Sequence, residues 1–262
     1  MNLFLISYLT SFILFVSNPL TIYNQNISQL DDAMMTPYEE TQIINELNES
    51  IISHHNNLND LKITCIGDSI TYGNGGSLNL DGTRFNYCNY LETLTNRKVI
   101  NLGIGGSPIG DYWDESSLIL RWQEIPKDTD IIIIFAGIND YFIGEFDNNN
   151  EHNFKKDSYL LLKKIKDTYI NSSIYVVLTY KNETIYWENF KNNNFCKYMD
   201  LLKQYCVELN INIIDLTHTN FLNSNDNNIK FNYIPDGIHP NDNGSIVLGK
   251  MLATQIILNN LK

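Results

Sequence analysis

The chain has 262 residues, 43% of them hydrophobic and 18% charged, a mix that can bury a sizeable core and excludes wholesale disorder. Its 18 basic and 30 acidic residues give a formal charge of −12, which repels phosphate backbones, excludes general nucleic-acid binding and makes a poor peripheral binder of anionic membranes. The 4 cysteines are too few for a disulfide scaffold at this length. Cys65 sits in an apolar run and reads as a core thiol, while Cys88, Cys196 and Cys206 lack zinc-ligand spacing.

Leu3 to Ser17 is almost wholly apolar and is stopped by Asn18-Pro19. It is shorter than the roughly 20 residues of a membrane span and matches the apolar core of a secretory signal. Neither a preceding Lys or Arg nor a clean small-x-small cleavage site accompanies it. The expectation is that residues 1–20 direct export, giving a secreted protein; an uncleaved anchor extended through Leu20 and Ile22 is the alternative. Glycosylation acceptor patterns at Asn26, Asn48, Asn171, Asn182 and Asn243 are weak support, because asparagine is frequent throughout.

Residues 21–60 are polar, acidic and free of glycine. Ile43, Ile44, Leu47, Ile51 and Ile52 recur near helical spacing, so this stretch reads either as a linker or as carrying one amphipathic helix. From residue 61 to 262 a regular alternation reads as one domain. Strands are predicted at Leu61–Ile66, Lys98–Leu102, Asp130–Phe135, Ile174–Leu178 and Asn212–Leu216. Helices are predicted at Phe85–Leu94, Phe154–Tyr169, Phe195–Leu209 and, as an amphipathic helix, Gly244–Leu258. Asp147–Asn150 and Asn223–Asn228 read as surface loops. Five buried strands separated by helices imply an α/β fold with a parallel sheet covered on both faces.

In such sheets, sites form beyond the carboxyl ends of the strands. The polar motifs fall there. The first strand runs into Gly67-Asp68-Ser69, the second into Gly103-Ile104-Gly105-Gly106 and the third into Gly137-Ile138-Asn139-Asp140. Past the fifth strand comes Asp236-Gly237-Ile238-His239. Each motif alone could be an ordinary turn or helix cap. The glycine cluster has no following lysine, which argues against nucleotide binding.

Together and in this order, the four blocks resemble the SGNH hydrolases, the GDSL-type esterase and lipase superfamily, over roughly residues 61–262. The resemblance implies a flavodoxin-like α/β/α sandwich and a serine esterase or acylhydrolase without metal or cofactor. It assigns Ser69 as nucleophile, His239 as base and Asp236 as the residue orienting it. It assigns the oxyanion hole to the backbone N–H groups of Ser69 and Gly106 and the side-chain amide of Asn139. A serine hydroxyl is a weak nucleophile until an imidazole takes its proton, and the developing oxyanion needs donors already aimed at it.

The segment from Asp130 to Gly144 looks like the microbial acylhydrolase branch, and Ile138 stands where many relatives have Gly or Thr, which would narrow the pocket floor. Tyr72, Tyr112, Trp113, Tyr141, Phe142 and Ile238 flank the blocks, and Tyr72, Tyr141 and Ile238 are the candidates for substrate contact. A long apolar lid is lacking, so the expected substrate is a short-acyl ester of a small molecule or carbohydrate. An acyltransferase on the same scaffold and a silent carbohydrate-binding relative are the alternatives.

Overall fold

The computed structural model describes residues 36–260 apart from 56, 113–114, 144–145, 148–150, 181, 183–193 and 218–221. The apolar segment 1–20, the acceptor site at Asn26 and Trp113 therefore lie outside the described residues.

Five parallel strands form one sheet: β1 (Ile63–Gly67), β2 (Ile100–Gly103), β3 (Ile131–Phe135), β4 (Ser173–Leu178) and β5 (Asn212–Asp215). Their spatial order is β2-β1-β3-β4-β5, so the chain reverses direction across the sheet between β1 and β3. All five residues of β3 are buried. Ile131, Ile133 and Phe135 face one layer of the core, and Ile132 and Ile134 face the other. This is why four consecutive isoleucines form a strand: alternate side chains leave opposite faces, and both faces are covered.

One layer holds α1 (Pro37–His55), α3 (Tyr87–Thr95) and α9 (Asp242–Asn260), with α8 (Asn227–Asn232) beside them. The other holds α6 (Phe154–Thr168) and α7 (Phe195–Glu208), with the short α4 (Leu118–Arg121). Two further short helices, α2 (Ser69–Tyr72) and α5 (Ile138–Ile143), start directly behind β1 and β3. The helix starts are capped as their sequences demand. Asn86, Asn153 and Asn194 accept from the first turns of α3, α6 and α7.

The stretch that could have been helix or linker is helix α1. Its Ile43, Ile44, Leu47, Ile51 and Ile52 are buried in the same cluster as Leu248, Leu252 and Ile256 of α9. This corrects the expectation of an amphipathic last helix. α9 packs against both α1 and α3 in the cluster that also takes one face of the sheet, so even Lys250 and Thr254 are buried, and a helix buried all round has no polar face. Asn48 and Asn182 are also fully buried and closed to glycosylation in the folded chain. The polar run at Asn223–Asn228 is loop only in part: Asp226 accepts from Asn228 N and Ile229 N and starts α8.

Candidate active site

The polar motifs converge at the carboxyl edge of the sheet, around the β1/β3 switch point, where open α/β sheets form ligand crevices. Gly67 ends β1. A Cβ there would stand 2.3 Å from the Phe135 carbonyl oxygen and 2.3 Å from Thr71 Oγ1, so only glycine lets the strand turn this sharply. Asp68 caps α2 by accepting from Ile70 N at 3.0 Å. Ser69 is then the first residue of α2, 6% exposed.

His239 Nε2 lies 2.8 Å from Ser69 Oγ, and its Nδ1 lies 2.7 Å from Asp236 Oδ2. The other carboxylate oxygen of Asp236 accepts from His239 N at 2.7 Å and Ile238 N at 2.9 Å. The three-residue spacing thus makes a turn in which one carboxylate holds both the backbone and the ring of His239. Burial pushes the Asp236 carboxyl up, but these hydrogen bonds and the imidazole outweigh it and hold it below the usual carboxylate range. The carboxylate stays ionised and keeps a proton on Nδ1, leaving the Nε2 lone pair toward Ser69.

The second block lies on the loop after β2. Gly106 has φ +80° and open space around its Cβ position, so glycine is required there by backbone conformation alone. Asn139, in the first turn of α5, donates from Nδ2 to the Ser107 carbonyl at 3.1 Å, bringing this amide against the same loop.

Three buried residues to which the sequence assigns no role, only Asp140 of them within a quoted block, hold these loops. The Asp140 carboxylate accepts from Ile109 N at 2.8 Å, Gly110 N at 3.0 Å and Tyr112 Oη at 2.9 Å, clamping the Gly106 loop to α5. Arg121, 5% exposed, donates to the carbonyls of Gly67 at 2.9 Å, Leu102 at 2.6 Å and Ser116 at 2.6 Å, tying the ends of β1 and β2 together. Tyr180, behind β4, donates to the Ile238 carbonyl. Asn139-Asp140 was read as one motif, but Arg121 and Tyr180 carry no local signal.

The flanking aromatics divide. Tyr72 is 46% exposed at the end of α2 and Ile238 is half-buried beside His239. Tyr141 is a core residue, which corrects its expected place against substrate. It is 2% exposed, edge-on to Phe195 at 5.6 Å and Tyr198 at 5.8 Å. Ile138 is likewise packed in the core at 4% exposure.

The family model for the GDSL-like Lipase/Acylhydrolase family matches residues 65–245. No curated protein matches the chain at significant similarity. Among solved structures, a protein from Lactobacillus plantarum superposes with a TM-score of 0.65 at 22% identity, over 77% of this chain and 98% of that one. An alpha/beta hydrolase enzyme from the metagenome of Lake Arreo, Spain, gives 0.54 at 20% identity, over 78% and 99%. An acetyl xylan esterase from Geobacillus stearothermophilus gives 0.53 at 20% identity, over 76% and 95%. At these identities the structures share the fold. The family match spans the residues of all four motif blocks, and the chain belongs to the GDSL-like Lipase/Acylhydrolase family as a carboxylic ester hydrolase.

Proposed function

We propose that the enzyme cleaves its ester through an acyl-enzyme on Ser69. The observation that carries this is the continuous relay from Ser69 Oγ through His239 to Asp236, at 2.8 and 2.7 Å, built from blocks 170 residues apart. His239 Nε2 takes the hydroxyl proton as Oγ bonds to the carbonyl carbon. The resulting oxyanion accepts from Ser69 N, Gly106 N and Asn139 Nδ2. As the tetrahedral centre collapses, the alcohol leaves with the proton from His239. Water then attacks the acyl-enzyme, gives one proton to His239 and releases the acid, and that proton returns to Ser69. Asp236 stabilises the transient imidazolium.

The acyl group in this reading is short. Ile138 and Tyr141, on either side of Asn139, are packed into the core, which supports a small acyl site. A neighbour of the same fold is an acetyl xylan esterase, which favours an acetyl ester of a carbohydrate. Residues 1–20 carry the protein out of the cell in this reading, supported by the apolar run Leu3–Ser17. Mature protein that retains Met1 inside the producing cell would refute export.

A p-nitrophenyl ester series from acetyl to palmitoyl, with wild type beside Ser69→Ala, tests the proposal. Turnover falls by about 10⁴-fold or more in the variant, and an organophosphate labels only the wild type. Equal turnover by the two proteins would remove Ser69 as nucleophile, and a preference for palmitoyl would overturn the short-acyl reading.

A further inference from the structure

A cleft of ≈ 690 Å³ runs beside the outer strand β2, unused by the residues above and within the size range of small-molecule sites. One wall is a hairpin over residues 77–85, closed by Phe85 N to the Ser77 carbonyl and Asn79 N to the Thr83 carbonyl, each at 2.8 Å. The other wall is β2 with the first turns of α3. Asp81 and Lys98 face each other across it at 3.8 Å.

The cleft reaches the carboxyl end of β2, beside the elements that carry Ser69 and Gly106. Tyr72 and Gly103 both line it, and a Cβ at Gly103 would stand 2.2 Å from Tyr72 N, so the two backbones touch. Tyr72 closes the helix that Ser69 opens, and Gly103 leads into the loop of Gly106.

The lining has a definite chemistry. The carboxylates of Asp81 and Glu92 are balanced by Arg84 and Lys98, so it selects no ion of either sign. Asn79 Nδ2 donates to Thr83 Oγ1 and the Asn89 amide is held by Asn86 N and Glu92, so Asn79 Oδ1, Lys98 and the guanidinium of Arg84, which spends one N–H on the Gly76 carbonyl, are the acceptor and donors facing the cleft, and hydroxyl groups can meet both. The framing elements are apolar at their outer edge. Of the 11 exposed large hydrophobic residues among those described, Tyr72 and Ile100 line the cleft, and Leu78 and Leu80 stand on the hairpin that walls it. A polar floor with an aromatic and aliphatic rim fits sugar rings, whose edges are hydroxylated and whose faces are C–H. A long alkyl chain would bury the polar lining without partners.

We propose that this cleft seats the alcohol side of the ester, and that this alcohol is a neutral oligosaccharide or polysaccharide, with its acyl group delivered to Ser69. The proposal rests on Ser69 as the nucleophile and adds the site that recognises the leaving group.

Calorimetric titration of xylotetraose, cellotetraose and chitotetraose into Ser69→Ala tests the cleft without turnover. At least one binds, and adding Tyr72→Ala or Lys98→Ala weakens it by about five- to tenfold. In the wild type, kcat/KM for the acetylated form of the tetraose that binds exceeds that for the matching acetylated monosaccharide by about tenfold. Both cleft variants reduce that ratio. Absence of binding by all three, or chain-length independence, overturns the proposal. So does a Leu80→Asp variant that loses activity on tributyrin droplets alone, which would assign the rim to a lipid surface. Binding without hydrolysis or organophosphate labelling would keep the cleft and remove the Ser69 mechanism.

Discussion

Tyr180 donates its hydroxyl to the carbonyl of Ile238 at 2.6 Å, joining the end of β4 to the turn that presents His239. The side chain has 0% exposure. Burial, followed by the charges of Asp68 and Asp236, pushes its phenol well above the ordinary tyrosine value, so it remains a donor at every working pH. Tyr180→Phe keeps the ring and deletes one bond. Steady-state kinetics should give a kcat lower by about tenfold with KM little changed, since a loosened base costs reaction geometry more than binding. Unchanged kcat would mean that Asp236 holds the turn unaided.

Asn139→Ala removes the side-chain donor of the proposed oxyanion hole and the bond to the Ser107 carbonyl. The expected loss is about 10²–10³-fold in kcat, the usual effect of removing one such donor. KM for p-nitrophenyl acetate should move far less, because the charge that Asn139 meets exists only in the transition state. A rise in KM at constant kcat would assign Asn139 to ground-state binding.

Helix α1 precedes the family match, yet it is part of the core. Leu47 is 1% exposed, and Leu47→Ala should cost about 2–5 kcal/mol in chemical denaturation. Its outer end also reaches the residue that leads into the Asp236–His239 turn: Gln42 Nε2 donates to Tyr233 Oη, and the Tyr38 and Tyr233 rings stack at 6.1 Å. The Tyr233 carbonyl in turn accepts from Asn241 N at 2.8 Å, closing the base of the loop that carries Asp236 and His239. A chain starting at residue 61 should therefore aggregate or unfold at lower temperature than one starting at residue 36. Equal melting temperatures would contradict this role.

Burial pushes Asp68 up to about 7, with the Ile70 N–H opposing and the charge of Asp140 adding to it. Burial likewise pushes Asp140 up to about 6 against its three donors. In the unfolded chain both titrate near the ordinary aspartate value of 3.8. Between roughly pH 4 and 7 the folded state therefore holds more protons than the unfolded one, and stability falls as pH rises through the folded values. The lowered Asp236 acts in the opposite sense, but only in more acid solution. The melting temperature should be lower at about pH 8 than at about pH 5, and Asp68→Asn, which can still cap Ile70, should flatten the difference. A melting temperature that rises across this window would contradict the assignment.

The order of strands along the chain, the α/β class and the polar blocks that meet at the candidate site were legible in the sequence. A β-branched run such as Ile131 to Ile134 has one stable fate, a strand covered on both faces. Gly67, Ser69, Asn139, Asp236 and His239 could be singled out because each sits at the end of a strand or just before the last helix, where a sheet of this kind places its chemistry. Tertiary structure alone decided what holds those residues in place. Arg121 reaches Gly67 across 54 positions, Asp140 reaches Ile109 across 31, and Tyr180 reaches Ile238 across 58. Each resembles an ordinary polar residue in its own neighbourhood, because local periodicity records which face of an element is buried and carries no trace of which distant backbone group will need a donor there. The same reason hid the fate of α9 and Tyr141: a side chain is exposed or buried according to what another element lays over it, and that is settled when the layers pack.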